Sequence, residues 1–304
     1  MNETDFALIR PVKITDAILT ASNVPEPATG DSPDPAAWNP ATAYAAGDRV
    51  SRFAIHKIFQ RVVAGTTSTA PELDFVNWLE VGSTNRFRMF DDANESQTTR
   101  AENIQVTLTP GTLVDSAAFL NIDGDSIRVV IENTAYDRTV SLRDRTTVDW
   151  YAYFFEPFVV KTEVVFRDFP LLANNVVNFT LTKAGGIAKM GVAILGLSKN
   201  IGSTELGARI GIIDYSTKNT SIFGNTTVIK RAFSRRMEVD IFMDAAQVDE
   251  VQRLLSDLRS TPIVWIGAGN AYGALIIYGF YRNFDIVITY FNNSKCRLEI
   301  EGLT

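Results

Sequence analysis

Only one stretch of this chain sets apolar residues at convincing helical spacing. Val248, Val251, Leu254, Leu255 and Leu258 fall on one face, Asp244 stands where an N-cap belongs, Gln247 follows three residues on as in a capping box, and Pro262 ends the run. This predicts a helix over 245–259 whose stripe of Val248, Val251, Leu255 and Leu258 is laid on a neighbouring layer. Around it the periodicity is two. Met237-Glu238-Val239-Asp240-Ile241 alternates, Ile263-Val264-Trp265-Ile266 is apolar throughout, and Ala274 to Phe280, Phe284 to Ile288 and Cys296 to Ile300 read as further strands. One helix across a largely antiparallel sheet is the α+β arrangement expected of residues 186–304.

Residues 83–185 carry no helical period. Short β-rich runs alternate with turn chemistry: Ile104 to Leu108 before Pro110-Gly111, Ile127 to Ile131 after Asp123-Gly124-Asp125, then Val140 to Leu142, Glu163 to Phe166 and Val177 to Leu181. That spacing predicts a jelly-roll-like β-sandwich. Its aromatic run, Trp150 to Phe158, fits a buried strand or an interdomain contact, with a sugar groove as the other reading. Asp91-Asp92-Ala93-Asn94 and Asp123-Gly124-Asp125 could offer oxygen ligands to calcium, yet neither has EF-hand spacing, and both read as acidic turns.

Between an N-terminal arm, 1–24, and the sandwich lie two further units. Residues 25–36 are rich in Pro, Ala, Asp and Gly and read as a linker. Residues 37–82 form a small β-module: Trp38 opens it, Gly47-Asp48 turns into Arg49-Val50-Ser51, Ile58 to Val63 pairs with that strand, and Trp78 closes it. In so small a fold the aromatics Trp38, Tyr44, Phe59 and Trp78 can be nearly the whole core; a weak sugar contact is the other role open to them. His56, the only histidine, reads as a solvated turn residue. The arm, with its apolar Phe6 to Ile9, is expected to dock on a later domain or to pair across subunits. The whole chain is thus expected to be mainly β and multidomain.

Composition excludes several functions. A net charge of -6 offers no field to hold a phosphate backbone, so nucleic acid is not an expected partner. The single cysteine, Cys296, has no disulfide partner and falls on the apolar face of a strand. The acidic start, Met1 to Asp5, is unlike a signal peptide, and no apolar run reaches the length of a membrane span, which predicts folding in a cytoplasm. No nucleophile elbow, Walker loop, zinc-protease helix or CxxC is present, so no catalytic residue, metal or cofactor is expected. Two carboxylates would suffice for glycoside hydrolysis, but nothing nominates a pair.

The order Trp38, Tyr44-x-x-Gly47-Asp48-x-Val50, Phe59, Pro71, Trp78 resembles the small carbohydrate-binding modules of families 5 and 12, found on chitinases and on phage tail proteins. The resemblance implies a sugar-binding role for Trp38, Tyr44, Phe59 and Trp78. Chitin-binding members carry exposed aromatics just after the Phe59 position, where Gln60 to Thr67 here has none. Over nearly the full chain the order of parts is similar to tail-tip or baseplate proteins of long-tailed bacteriophages and prophages. The residues carrying this are Ala7 to Pro11, Thr84 to Phe87 with Phe90-Asp91, Gly211 to Tyr215, Phe223 to Thr227, Val248 to Gln252 with Pro262, and Trp265 to Gly267. This resemblance implies a non-enzymatic virion component, assembled in the host cytoplasm with other tail and baseplate proteins. It implies a ring of three or six copies, held mainly by residues beyond 186, with the linker letting each module project toward the host surface. A receptor-binding adhesin recognising host glycan is the alternative; a polysaccharide hydrolase is a third.

Overall fold

The structure is a computed structural model that describes residues 5–30, 32–144, 150, 159–172, 175–268, 272–288 and 293–303. It is mainly β, with one helix packed on an antiparallel sheet. The first strands are β1 (Asp5–Pro11), β2 (Leu19–Ser22), β3 (Arg49–Arg52), β4 (Lys57–Arg61) and β5 (Trp78–Ser83). Then come β6 (Thr98–Leu108), β7 (Ser116–Asp123), β8 (Ser126–Ile131), β9 (Asp137–Ser141), β10 (Arg143–Asp144), β11 (Val159–Val160) and β12 (Glu163–Phe166). The C-terminal part holds β13 (Val177–Thr204), β14 (Arg209–Asp214), β15 (Thr217–Thr220), β16 (Thr226–Ile229) and β17 (Phe233–Asp244). Helix α1 (Val248–Asp257) follows, and β18 (Ile263–Ile266), β19 (Ile276–Ile288) and β20 (Asn293–Gly302) complete the chain.

The 28-residue β13 organises the body. Its first part pairs with β6 and β8; past a bulge between Thr182 and Ile187 it pairs with β7, and from Gly196 onward with β1. Gly185 sits in that bulge at φ +67°, a conformation glycine adopts without a Cβ penalty. The boundary expected near residue 185 therefore falls inside a continuous strand. The two halves are further joined by a shared apolar layer, in which Ile9, Val264, Ile266 and Tyr278 pack on Ala118, Leu120, Val165 and Val192. The earlier part of the body encloses its own core, with Phe119 edge-on to both Phe166 and Phe179. Of the aromatic run, Tyr151 to Phe158 lie outside the described residues.

In the C-terminal half the strands run β13-β1-β18-β19-β20-β17, and Ser203 and Thr204 of β13 pair back onto Phe242 and Ile241 of β17. This closes a hydrogen-bonded circuit, which leaves those strands no free edge there. Alternation along β17 and β20 sends Met237, Val239, Ile241, Cys296, Leu298 and Ile300 inward around Trp265. Helix α1 lies on that core: Val251, Leu255 and Leu258 are buried, Val248 is partly so, and the Tyr281 hydroxyl donates to the Leu255 carbonyl at 2.8 Å. Asp244 accepts from the Ala246 amide at 3.0 Å, but it caps a 3-10 turn, Ala245–Gln247, from which the α-helix proper starts at Val248.

Of the two roles open to the arm, docking on a later part of the chain is the one the structure shows, while pairing across subunits and the free linker are corrected. The arm docks within its own chain: β1 lies between β13 and β18, with Phe6, Ala7, Leu8 and Ile9 buried, so both of its edges are already paired and it has none to offer a neighbouring subunit. A Cβ at Gly196 would collide with the Arg10 carbonyl, which is how closely β1 and β13 cross. The linker is not free either. Ala28 is buried, Asp34 accepts from the amides of Ala28 (2.8 Å) and Asn85 (2.9 Å), and residues 36–38 run beside β3.

Candidate functional site

The module is a three-stranded antiparallel sheet, β3-β4-β5, separate from the body's sheet. Its core is Val50, Phe59 and Trp78, with Trp38 and Tyr44 packed against it, so the structure does bring together the four aromatics singled out in the sequence. Tyr44 meets Trp78 edge-on at 5.2 Å and accepts from the Asn39 amide at 2.8 Å. Phe59 is 3% exposed and Trp78 is 2% exposed, so neither offers a ring face to a ligand. The Arg61 guanidinium, itself buried, covers Trp78 at 5.0 Å. Trp38 is half-buried, and Arg52 stacks over it at 5.1 Å while held by Glu72 through two bonds of 2.9 and 2.6 Å. The Arg52 hydrogen bond holds the Glu72 carboxyl below the ordinary range.

The surface the module does present was missed in the sequence. Leu73, Phe75, Val76 and Leu79 are exposed, with Val62 and Val63 beside them, since the Val62 amide donates to the Asn77 carbonyl at 2.8 Å. The turn carrying Phe75 and Val76 is fixed by Asp74, which accepts from the Asn77 side chain at 2.9 Å and from Thr67 at 3.3 Å. The signal was present: two apolar residues between turn-forming Asp74 and Asn77 have no strand in which to hide.

Below the module lies a charged seat that joins it to the body. His56, in the left-handed region at φ +56°, caps a 3-10 turn, Phe53–Ile55, and stacks on Phe87 with ring centroids 3.6 Å apart. Its Nδ1 is 3.0 Å from the Glu26 carboxylate and its Nε2 2.9 Å from Asp16. Glu26 is nearly buried; it also accepts from the Thr84 hydroxyl at 2.5 Å and lies 3.8 Å from Arg86. A neutral imidazole has one N–H, so two carboxylates on its two nitrogens call for the imidazolium. Burial works against that charge, but hydrogen bonds and attraction from Asp16 and Glu26 outweigh it and raise the titration above the ordinary histidine range. The reading of His56 as a solvated turn residue is thus corrected: it is the pin between module, linker and body.

The acidic turns are occupied by protein donors. Asp91 accepts from the Ala93 amide and the Ser96 hydroxyl, Asp92 from Tyr278, Asp123 pairs with Lys183, and Asp125 with Arg143 and the Ala184 amide. No group of three or more metal-ligating side chains stands together among the described residues. No described helix is long and apolar enough to cross a membrane. Comparison with family models, with curated protein sequences and with solved structures finds no match.

Proposed function

We propose that this chain is a non-enzymatic structural part of a bacteriophage tail tip or baseplate, built in three or six symmetric copies with other tail proteins, and that it holds the small module toward the host surface. The observation that carries this reading is the seat. A three-stranded unit with a minimal core is fastened to a large β body on every side by which the chain enters or leaves it, through Glu26, His56 and Thr84. Such an arrangement serves to hold a small unit at a set angle, and the fixed apolar turn at Phe75 and Val76 gives it something to present.

That same turn favours one second reading, a receptor-binding adhesin. With Phe59 and Trp78 committed to the core, a single module binds neutral sugar no better than about millimolar, worth roughly 4 kcal/mol, and any useful grip comes from several copies acting together. Antibody against residues 37–82, applied to tailed particles and viewed by electron microscopy, tests the proposal. Label at the tail tip is expected; particles without label, beside a freely soluble pool of the chain, would contradict it.

A further inference from the structure

The strongest unexplained surface is the ribbon from 206 to 236, made of β14, the hairpin β15–β16 and the start of β17. Strand β14 pairs with β17 along one edge, and among the described strands β15 pairs only with β16. Ile210, Ile212, Ile222, Phe223, Val228 and Ile229 are all exposed, with Ile222 at 95% and Phe223 at 85% on the hairpin tip. A two-stranded ribbon open on both faces is marginal in water, and a monomer does not usually leave so much apolar side chain uncovered. Six such side chains offer on the order of 800 Å², the share that one partner contributes to a standard interface. The outer edge of β14 is also unguarded. Its centre reads Ile210-Gly211-Ile212-Ile213, with no lysine or proline to repel another strand.

Charge indicates the partner. Residues 206–236 hold six Lys and Arg against one Asp, so the other 273 residues carry 23 basic against 34 acidic side chains. Within the ribbon, Arg235 is taken by Glu163, and Arg209 and Arg236 lie near Glu238. Lys218, Lys230 and Arg231 lie beside the apolar hairpin; with Asp214 nearby as the ribbon's one acid, they are left to face outward. A basic, apolar ribbon on an otherwise acidic chain is complementary to the body of another copy of that chain.

We infer that ribbon 206–236 is the surface by which each copy grips the acidic body of the next, a head-to-tail contact that closes into a ring when the rotation allows. This rests on the reading of the chain as a self-assembling part. The test is light scattering on the full chain over a range of concentration and salt, with Ile222→Asp/Phe223→Asp and Lys230→Glu/Arg231→Glu as variants. Both pairs are exposed, so unchanged melting temperatures will report intact folding. The wild type should self-associate and the tip variant should run as a monomer. The charge reversal should weaken association by about tenfold or more near 0.1 M salt, with the difference shrinking as salt rises. An oligomer that both variants leave unchanged would overturn the ribbon contact while leaving the assembly reading standing. A wild type that stays monomeric, or that binds vesicles containing phosphatidylglycerol through this tip instead, would overturn it in favour of a different partner.

Discussion

His56 Nδ1 lies 3.0 Å from the carboxylate of Glu26, a group 5% exposed, where the module and the linker meet the Thr84 hydroxyl of the body. Because Asp16 stands 2.9 Å from the other ring nitrogen and Arg86 is, among the described residues, the one other cation paired with Glu26, the cluster balances only while His56 carries a proton. Its titration is raised in the folded state, so the stabilisation is fully present below the unfolded value of about 6.5 and is lost as pH rises through the folded value. Amide protection at residues 53–57 and 84–87, corrected for intrinsic exchange, is expected to fall across that window, and His56→Gln should remove the step. His56→Ala should cost on the order of 2 kcal/mol by stranding Glu26. A neutral His56 at pH 6, seen by NMR, would contradict the assignment.

Trp78→Ala should cost about 3–5 kcal/mol, since it empties the centre of a core made of Val50, Phe59 and Trp78. Trp38→Ala, at the half-buried rim, should cost about 1 kcal/mol. Hydrogen exchange is the measurement: in the Trp78 variant protection is lost from β3–β5 while β13 keeps its own. Loss of protection through the whole chain would mean that module and body do not unfold separately.

Leu8→Ala should destabilise the body by about 2–5 kcal/mol, and deletion of residues 1–12 should abolish cooperative unfolding, because β1 completes the circuit between β13 and β18. Calorimetry of the truncated chain checks this. A deletion variant with an unchanged transition would mean that β1 is dispensable, as an arm exchanged between subunits would be.

Cys296 should resist thiol reagents at pH 8 in the folded chain and react at once in denaturant. Burial first, and then the charges of Asp285 and Asp240, push its thiol up to about 12, and its side chain points into the closed core. Rapid labelling of native protein would show that the circuit opens.

What the sequence made legible was local. Helix α1 could be read because five apolar residues repeat at helical spacing within 11 positions, and the module's core because Trp38, Tyr44, Phe59 and Trp78 lie within 41 residues of one another. The illegible parts depend on distant pairing. The expected boundary between 185 and 186 falls in the fold at a bulge within one strand, because β6 pairs on both sides of it. Asp16, Glu26 and His56 share no periodicity, and the 30 and 40 residues between them and the histidine hide the cluster. The exposure of ribbon 206–236 is hidden for a different reason: Ile210 to Ile213 has the composition of a buried strand, yet in the fold Ile210 and Ile212 are exposed.

A cryo-electron microscopy map of the assembled tail tip tests the central claim most directly. The account predicts three or six copies around the tail axis, each with its module ordered against its own body, His56 between Asp16 and Glu26, and ribbon 206–236 covered by the adjacent copy. A single copy off the axis, or module density that shifts independently of the body, would contradict it.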